Sequence, residues 1–210
     1  MEVVMFITSI EKSETNPSMA RVCVDEKIDF FLPKKRIDAL DLSVGKFVEK
    51  ESLDYILKYE VYAAAKNSAV KFLSLKLRTA FEIRDKLHEL GYDSDTAEKV
   101  INDLKDIDYI DDYKYAVKYI AEKSKLKPKS AKLLFMELSY KGVPDDVISK
   151  AAEEFDLDDI QVALELLKKR YSKYDEFDEQ LIRKMKAFLA NRGFSFNQIS
   201  KAISEFIPYD

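Results

Sequence analysis

Residues able to carry chemistry are few in this 210-residue chain, and they stand apart from one another. The single histidine, His88, lies between Leu87 and Glu89. Acyl-transfer catalysis would need a nucleophile and an orienting acid around it, and no motif in the sequence supplies either. A surface or boundary histidine is the expectation. The single cysteine, Cys23, falls out of phase with Ala20, Val22 and Val24 and reads as a structural thiol in a small sheet. The acidic runs 103–112 and 145–159 invite a divalent-cation reading, but neither places glycine at the sixth position of a calcium loop. Asp111 and Asp112 read instead as caps of a helix over 113–125, where their charge meets the positive end of the helix dipole. Walker sequence, dinucleotide fingerprint and zinc cluster are all missing. The expectation is therefore a protein with no catalytic residues, no metal site and no cofactor.

Charge is the one property that is concentrated. Residues 118–141 hold seven lysines against two acids, Glu122 and Glu137. Five of the lysines, Lys123, Lys125, Lys127, Lys129 and Lys132, fall within ten residues where one helix ends and the next begins. A second cluster runs through Lys168, Lys169, Arg170 and Lys173 and on to Arg183, Lys184 and Lys186. One such cluster is an ordinary solvated face. Two of them in a chain of net charge −4 mean segregated charge, which steers a protein toward an anionic partner.

The elements that position these groups follow from a repeat. Gly91, Gly142 and Gly193 recur at 51-residue intervals, each preceded at four positions by leucine (Leu87, Leu138, Leu189). Tyr92/Val143/Phe194, Ala97/Ile148/Ile199, Val100/Ala151/Ala202, Ile101/Ala152/Ile203 and Leu104/Phe155/Phe206 keep the same frame. Repeats of this length imply stacked helical modules and extended binding surfaces. The second helix of each unit is expected to start near Thr79, Ser130 and Asp178. The glycine then ends it, because the left-handed conformation past a helix terminus is cheap without Cβ. The third helix is expected near Asp93, Pro144 and Ser195, with Pro144 in its first turn. The first helix of the array is expected to begin at Ser52, as N-cap, and to run to about Lys76. Before it, Val3–Ile10, Ala20–Val24 and Ile28–Leu32 have the period and turn signals of three short strands, followed by a short helix after Pro33 and a loop at Gly45.

The expected fold is mainly α: three tandem three-helix repeats in an elongated curved array, with a small N-terminal antiparallel β meander. Its expected divisions are 1–52 for the β-rich extension and 53–107, 108–156 and 157–210 for the three repeats. Composition agrees, with 47% hydrophobic residues, four glycines and five prolines. One cysteine excludes an internal disulfide and suits a reducing cytosol, no apolar run is long enough to span a membrane, and the N-terminus lacks a basic signal-peptide start. A cytoplasmic protein without membrane contact is expected.

Four segments resemble the RecX family. Leu73-Ser74-Leu75-Lys76-Leu77-Arg78-Thr79-Ala80-Phe81-Glu82-Ile83 is similar to that family's opening element, in which a basic-x-basic-Ser stretch precedes a Glu-Leu pair. Tyr109-Ile110-Asp111-Asp112 with Tyr115-Ala116 and Tyr119 resembles its Leu-Asp-Asp…Phe-Ala…Tyr motif. Glu137-Leu138 with Lys141-Gly142-Val143, and Phe188-Leu189 with Arg192-Gly193-Phe194-Ser195, resemble its two later elements. Lys76 replaces the usual arginine, Thr79 the usual serine, and Pro128-Lys129-Ser130 stands where a glycine commonly opens the helix. Residues 1–52 look like the N-terminal extension of longer members.

The resemblance implies a non-enzymatic modulator of the RecA recombinase, and a monomer is expected. Such a protein binds the RecA–single-stranded DNA filament and limits its growth, ATPase, strand-exchange and coprotease activities; whether single-stranded DNA is itself contacted is left open by the sequence. The Lys123–Lys132 corner is the first candidate contact, and Arg78, Arg84 and Arg192 the second. Sequence leaves open groove binding against end-capping, and inhibition against activation. A helix-turn-helix-like protein acting directly on DNA is the alternative, since two helices joined by a tight glycine turn and flanked by lysines suit phosphates. The acids Asp145, Asp146, Glu153 and Glu154 around the middle third helix speak against a recognition helix there.

Overall fold

The computed structural model describes residues 5–207 and divides into two compact units, one ending at Asp111 and the other beginning at Asp112. Val3 and Val4, expected in the first strand, lie outside the described residues. The first unit opens with strands β1 (Met5–Lys12), β2 (Met19–Val24), β3 (Ile28–Pro33) and β4 (Phe47–Val48), all antiparallel, in the order β3-β2-β1-β4. Along β2 the side chains of Val22 and Val24 are buried while Arg21 is exposed and Cys23 half-buried, the alternation a one-sided sheet requires. Asp25 and Glu26 both have positive φ in the turn between β2 and β3, and Lys27 N–H closes it on Val24 O at 3.1 Å. That mirror-image turn matches the twist of its flanking strands. The fourth strand was not expected. It is two residues long, and follows the Gly45 loop that was.

Helix α1 (Lys34–Ala39) follows Pro33 as expected. The long helix that comes next departs from expectation. It starts at Lys50, as α2 (Lys50–Tyr55), with Glu49 at the N-cap making no side-chain cap bond, so Ser52 lies inside the first turn rather than capping it. It widens into a π-helical turn over Ile56–Val61 before continuing as α3 (Tyr62–Leu73). The reason is legible in the burial. Ile56 and Val61 are both buried yet five residues apart, a spacing that α-helical geometry would splay by about 140°, and the wider turn brings them onto one face. The turn also presents Glu60, buried and bound by Arg36 through Nε (2.6 Å) and Nη2 (2.5 Å).

Each repeat then has three helices. With α3 come α4 (Ala80–Glu89) and α5 (Ser94–Asp106). The second repeat is α6 (Asp112–Leu126), α7 (Ala131–Tyr140) and α8 (Asp145–Ala152). The third is α9 (Asp159–Tyr171), α10 (Glu179–Ala190) and α11 (Phe196–Phe206). Thr79, Ser130 and Asp178 are the N-caps of the second helices, each accepting from a backbone N–H three residues on. Asp178 sits three residues ahead of the 51-residue frame. Asp93, Pro144 and Ser195 are the N-caps of the third helices. Pro144 thus stands one place before the first turn, where its extended ψ of 146° cannot belong to the helix.

The glycine turns share one hydrogen-bond pattern. Gly91, Gly142 and Gly193 have φ between 75° and 92°. The N–H of each following residue (Tyr92, Val143, Phe194) returns to the carbonyl of Leu87, Leu138 or Leu189, closing a Schellman motif. Those three leucines are fully buried. The outermost column matches less well: Leu104 is buried, whereas Phe155 and Phe206 are only half-buried, since α8 ends before Phe155 and Phe206 is the last residue of α11.

Two of the turns are also docking points within their own units. A Cβ on Gly91 would lie 2.4 Å from the ring of Phe31, so strand β3 rests directly on the first glycine turn. Thr15 Oγ1 donates to Glu89 O at 2.6 Å beside it. Sheet and first repeat accordingly share one core, from Ile7, Val22 and Leu32 to Ile83, Leu87 and Leu104. In the second unit a Cβ on Gly193 would lie 2.7 Å from both Leu133 Cβ and Ser130 Oγ, which places the third repeat's turn against the start of α7.

Candidate polyanion-binding surface

The second unit carries two basic surfaces. The first is the corner between α6 and α7. Lys125, Lys127 and Lys132 are exposed and have no ion-pair partner among the described residues. Lys123 lies over the Tyr119 ring, 5.2 Å from its centroid. Lys129 is different. Its ammonium is 2.6 Å from Glu137 Oε1, and Tyr119 donates to the other carboxylate oxygen at 2.8 Å. With its side chain mostly covered, Lys129 holds the corner together rather than facing a partner.

The Glu137 carboxyl is desolvated, which works to raise its pKa, yet hydrogen bonds from Lys129 and Tyr119 hold it below the ordinary carboxylate value. A depressed folded-state pKa gives stability that is complete above the unfolded value, about 4.3, and lost as pH falls through the lower folded value. Urea denaturation at pH 7 and at pH 3 should therefore show a smaller loss of stability on acidification in Glu137→Gln than in the parent chain. Equal losses would mean that the triad contributes nothing to acid sensitivity.

The second surface is a cleft of about 820 Å³ between the end of α9 and the length of α10. The sequence builds it by placing Lys168, Lys169 and Arg170 in the last turn of α9, where cations meet the negative end of the helix. Tyr171 is buried there, packed edge-on against Phe188 of α10 with ring centroids 5.8 Å apart, and Tyr174 lies 6.1 Å beyond it. Phe188 organises the cations. The Arg170 guanidinium carbon lies 4.5 Å from its centroid and that of Arg192 3.9 Å, and Arg192 Nη1 also donates to Phe188 O at 3.2 Å. Lys173, over the Tyr174 ring at 5.3 Å, and Lys184 complete the basic lining. Asp178 also lines the cleft, but its carboxylate is occupied in capping Leu181 N–H; Glu176 is the other acid present. A guanidinium held on an aromatic face has little rotamer freedom left to lose on meeting a phosphate or carboxylate.

Backbone bonds tie the two surfaces together. Ser130 N–H donates to Arg192 O at 3.0 Å. Asp159 accepts from Ala131 N–H and from Gln198 Nε2, both at 2.8 Å. Arg192, one of the residues anticipated from sequence, therefore belongs to the cleft and adjoins the corner. Arg78 and Arg84 are placed in the first unit with structural partners. The Arg78 guanidinium lies 4.0 Å from the Phe72 centroid and 3.8 Å from Glu82, and Arg84 pairs with Glu98 across α4 and α5. The aromatic scaffold of Tyr171, Tyr174 and Phe188 was missed in the sequence. Its signal was the run Arg170-Tyr171-x-Lys173-Tyr174, basic and aromatic residues interleaved.

Neither surface holds a nucleophile beside a base. Among the described residues no group of three His, Cys, Asp or Glu side chains is arranged to hold a metal ion. His88 is exposed. Among the same residues no helix is long and apolar enough to cross a membrane.

Comparison with known proteins gives one consistent result. The family model described as RecX, first three-helix domain, matches residues 65–104, and that for RecX, third three-helix domain, matches residues 157–203. The chain is 30% identical over 195 residues to "Regulatory protein RecX" of Clostridium perfringens, covering 91% of each chain. It is 28% identical over 208 residues to the protein of the same name from Clostridium botulinum, covering 97% of each. Among solved structures, RecX from Lactobacillus salivarius superposes with a TM-score of 0.59 at 30% identity, over 69% of this chain and 96% of that one. A second crystal structure, of regulatory protein RecX, has a TM-score of 0.61 at 22% identity over 93% of this chain and 97% of that one, a likeness of fold.

Proposed function

This chain belongs to the RecX family of regulatory proteins, and from that premise we propose that it regulates the RecA recombinase by binding the RecA–single-stranded DNA filament. It acts in the cytoplasm, as a monomer, without turnover chemistry, and it limits filament growth, ATPase and strand exchange. The observation that carries this reading is the gathering of two basic surfaces within one unit, the Lys125–Lys132 corner and the Arg170–Arg192 cleft, joined at Ser130 and Arg192. A filament of repeating protomers wound on DNA is a polyanion with a regular pitch. A protein that prefers one of its conformational states shifts the equilibrium by that difference in affinity and needs no active site. Direct reading of duplex DNA by a third helix is the weaker reading. Helix α8 opens with Asp145 and Asp146, and α5 with Asp95 in its first turn, charges that a phosphate backbone repels.

RecA ATPase on single-stranded DNA tests the proposal. Substoichiometric amounts of this protein should lower the rate and shorten the filaments. An ATPase unchanged at saturating protein, at both low and physiological salt, would remove the functional reading and leave the fold untouched.

A further inference from the structure

The first unit has an exposed surface of a different character. Strand β4 is a two-residue edge, and beside it Leu40, Leu42, Phe47, Val48, Tyr55 and Ile56 line a groove of about 610 Å³. Its aromatic residues are left open to solvent: Phe47 is 42% exposed and Tyr55 53%. The apolar strip continues in both directions, through Phe6 edge-on to Phe47 at 6.2 Å and through Tyr59 at 5.1 Å from Tyr55. Four exposed rings in one strip exceed the scattered apolar residues of an ordinary surface. Aromatic side chains of this kind supply the energy of protein–protein contacts. Tyr59 and Ile56 belong to the π-helical turn, a departure from regular helix that is common at functional sites.

Charge selects the occupant. The groove is lined by two carboxylates, Glu49 and Glu51, both exposed and without an ion-pair partner among the described residues. Its one ammonium, Lys46, is already taken, 2.6 Å from Asp41 Oδ2 and 2.6 Å from Asp41 O. A phosphate backbone laid in the groove would meet these two carboxylates, whereas a cationic segment would be drawn to them. The strip's own cation, Lys58, stands over the Tyr59 ring, 5.4 Å from its centroid, outside the groove lining. We propose that the groove docks a short segment of a protein partner that presents an apolar side chain flanked by lysine or arginine. The groove belongs to the first unit and the basic cleft to the second; the two are opposite in charge, and the proposal does not depend on the filament reading.

The test uses the full chain and two labelled peptides, one alternating leucine with lysine and one alternating leucine with glutamate, followed by fluorescence anisotropy. The lysine peptide should bind the parent chain and the glutamate peptide should not. Tyr55→Ala removes an exposed ring and Glu51→Lys reverses an exposed charge, so neither should disturb folding, which circular dichroism checks. Each should weaken binding of the lysine peptide roughly tenfold. No binding by the parent chain, or binding that both substitutions leave unchanged, overturns the proposal. So does labelled single-stranded DNA binding that Tyr55→Ala abolishes. Sedimentation supplies the last arm: a dimer that Tyr55→Ala converts to monomer would assign the groove to a second copy of this chain instead.

Discussion

Gly193→Ala is expected to cost the second unit about 2–5 kcal/mol, the sum of left-handed backbone strain of about 1–2 kcal/mol and steric overpacking of about 1–3 kcal/mol. Both terms come from the same atom. At φ 83° a Cβ is strained wherever it points. Here it would also lie 2.7 Å from Leu133 Cβ and from Ser130 Oγ, the oxygen that caps α7. Leu133 Cβ is fixed to its helix backbone and cannot swing aside, so the turn must lift off α7. Gly45→Ala is the control, with φ 84° and nothing within 4 Å of the added carbon. It should show the backbone strain alone. Urea denaturation of both variants makes the comparison, and equal losses would mean that the close approach at Gly193 carries no energy.

The second large effect concerns binding. Replacing Arg170, Lys173 and Lys184 together with glutamate should abolish measurable binding to RecA–single-stranded DNA filaments at physiological salt, with helix content retained. All three side chains are exposed, and Arg170 and Lys173 lean on rings that remain packed without them. If each cation meets one phosphate, the slope of log affinity against log salt should fall by about 2. The corner gives a contrast. Lys125, Lys127 and Lys132 are exposed and lean on no ring, so their reversal should act through slower association, whereas loss of the ring-held cations Arg170 and Lys173 should speed dissociation. Lys129 is excluded from such a triple, because a glutamate there would face Glu137 and damage the fold itself. Parent-like affinity in the cleft variant would assign the contact to the corner or to an apolar face.

The frame of the molecule could be read from residue spacing because its determinants are local. A serine, threonine or aspartate three residues ahead of its backbone donor, and a glycine four residues past a buried leucine, act within one turn of chain. That is why Thr79, Ser130 and Asp178 and the three glycine turns could be named in advance. The π-helical turn followed from burial of both Ile56 and Val61, which the sequence alone does not distinguish from an ordinary helix with one exposed side chain. Strand β4 carries too few residues to show a period. At the surface, the five clustered lysines look equivalent on paper. Only folding brings Glu137 and Tyr119 to Lys129 and leaves Lys125, Lys127 and Lys132 outside. Arg170 and Arg192 meet on Phe188 from separate stretches of chain, a tertiary fact with no signature in spacing.

The joint at the start of α7 has a thermodynamic meaning. A helix ordinarily leaves its first amide groups to be satisfied from within its own neighbourhood or by water. Here the amides of Ser130 and Ala131 are satisfied by Arg192 and Asp159, both from the following repeat. In an array whose modules contact only through apolar faces, a terminal repeat can fray while its neighbour stays folded. Opening the third repeat of this unit instead uncaps the second, leaving two orphan donors beside a fully buried serine. These bonds strengthen the coupling between neighbouring repeats, and helices α6 to α11 are expected to melt together rather than to unzip from α11 inward.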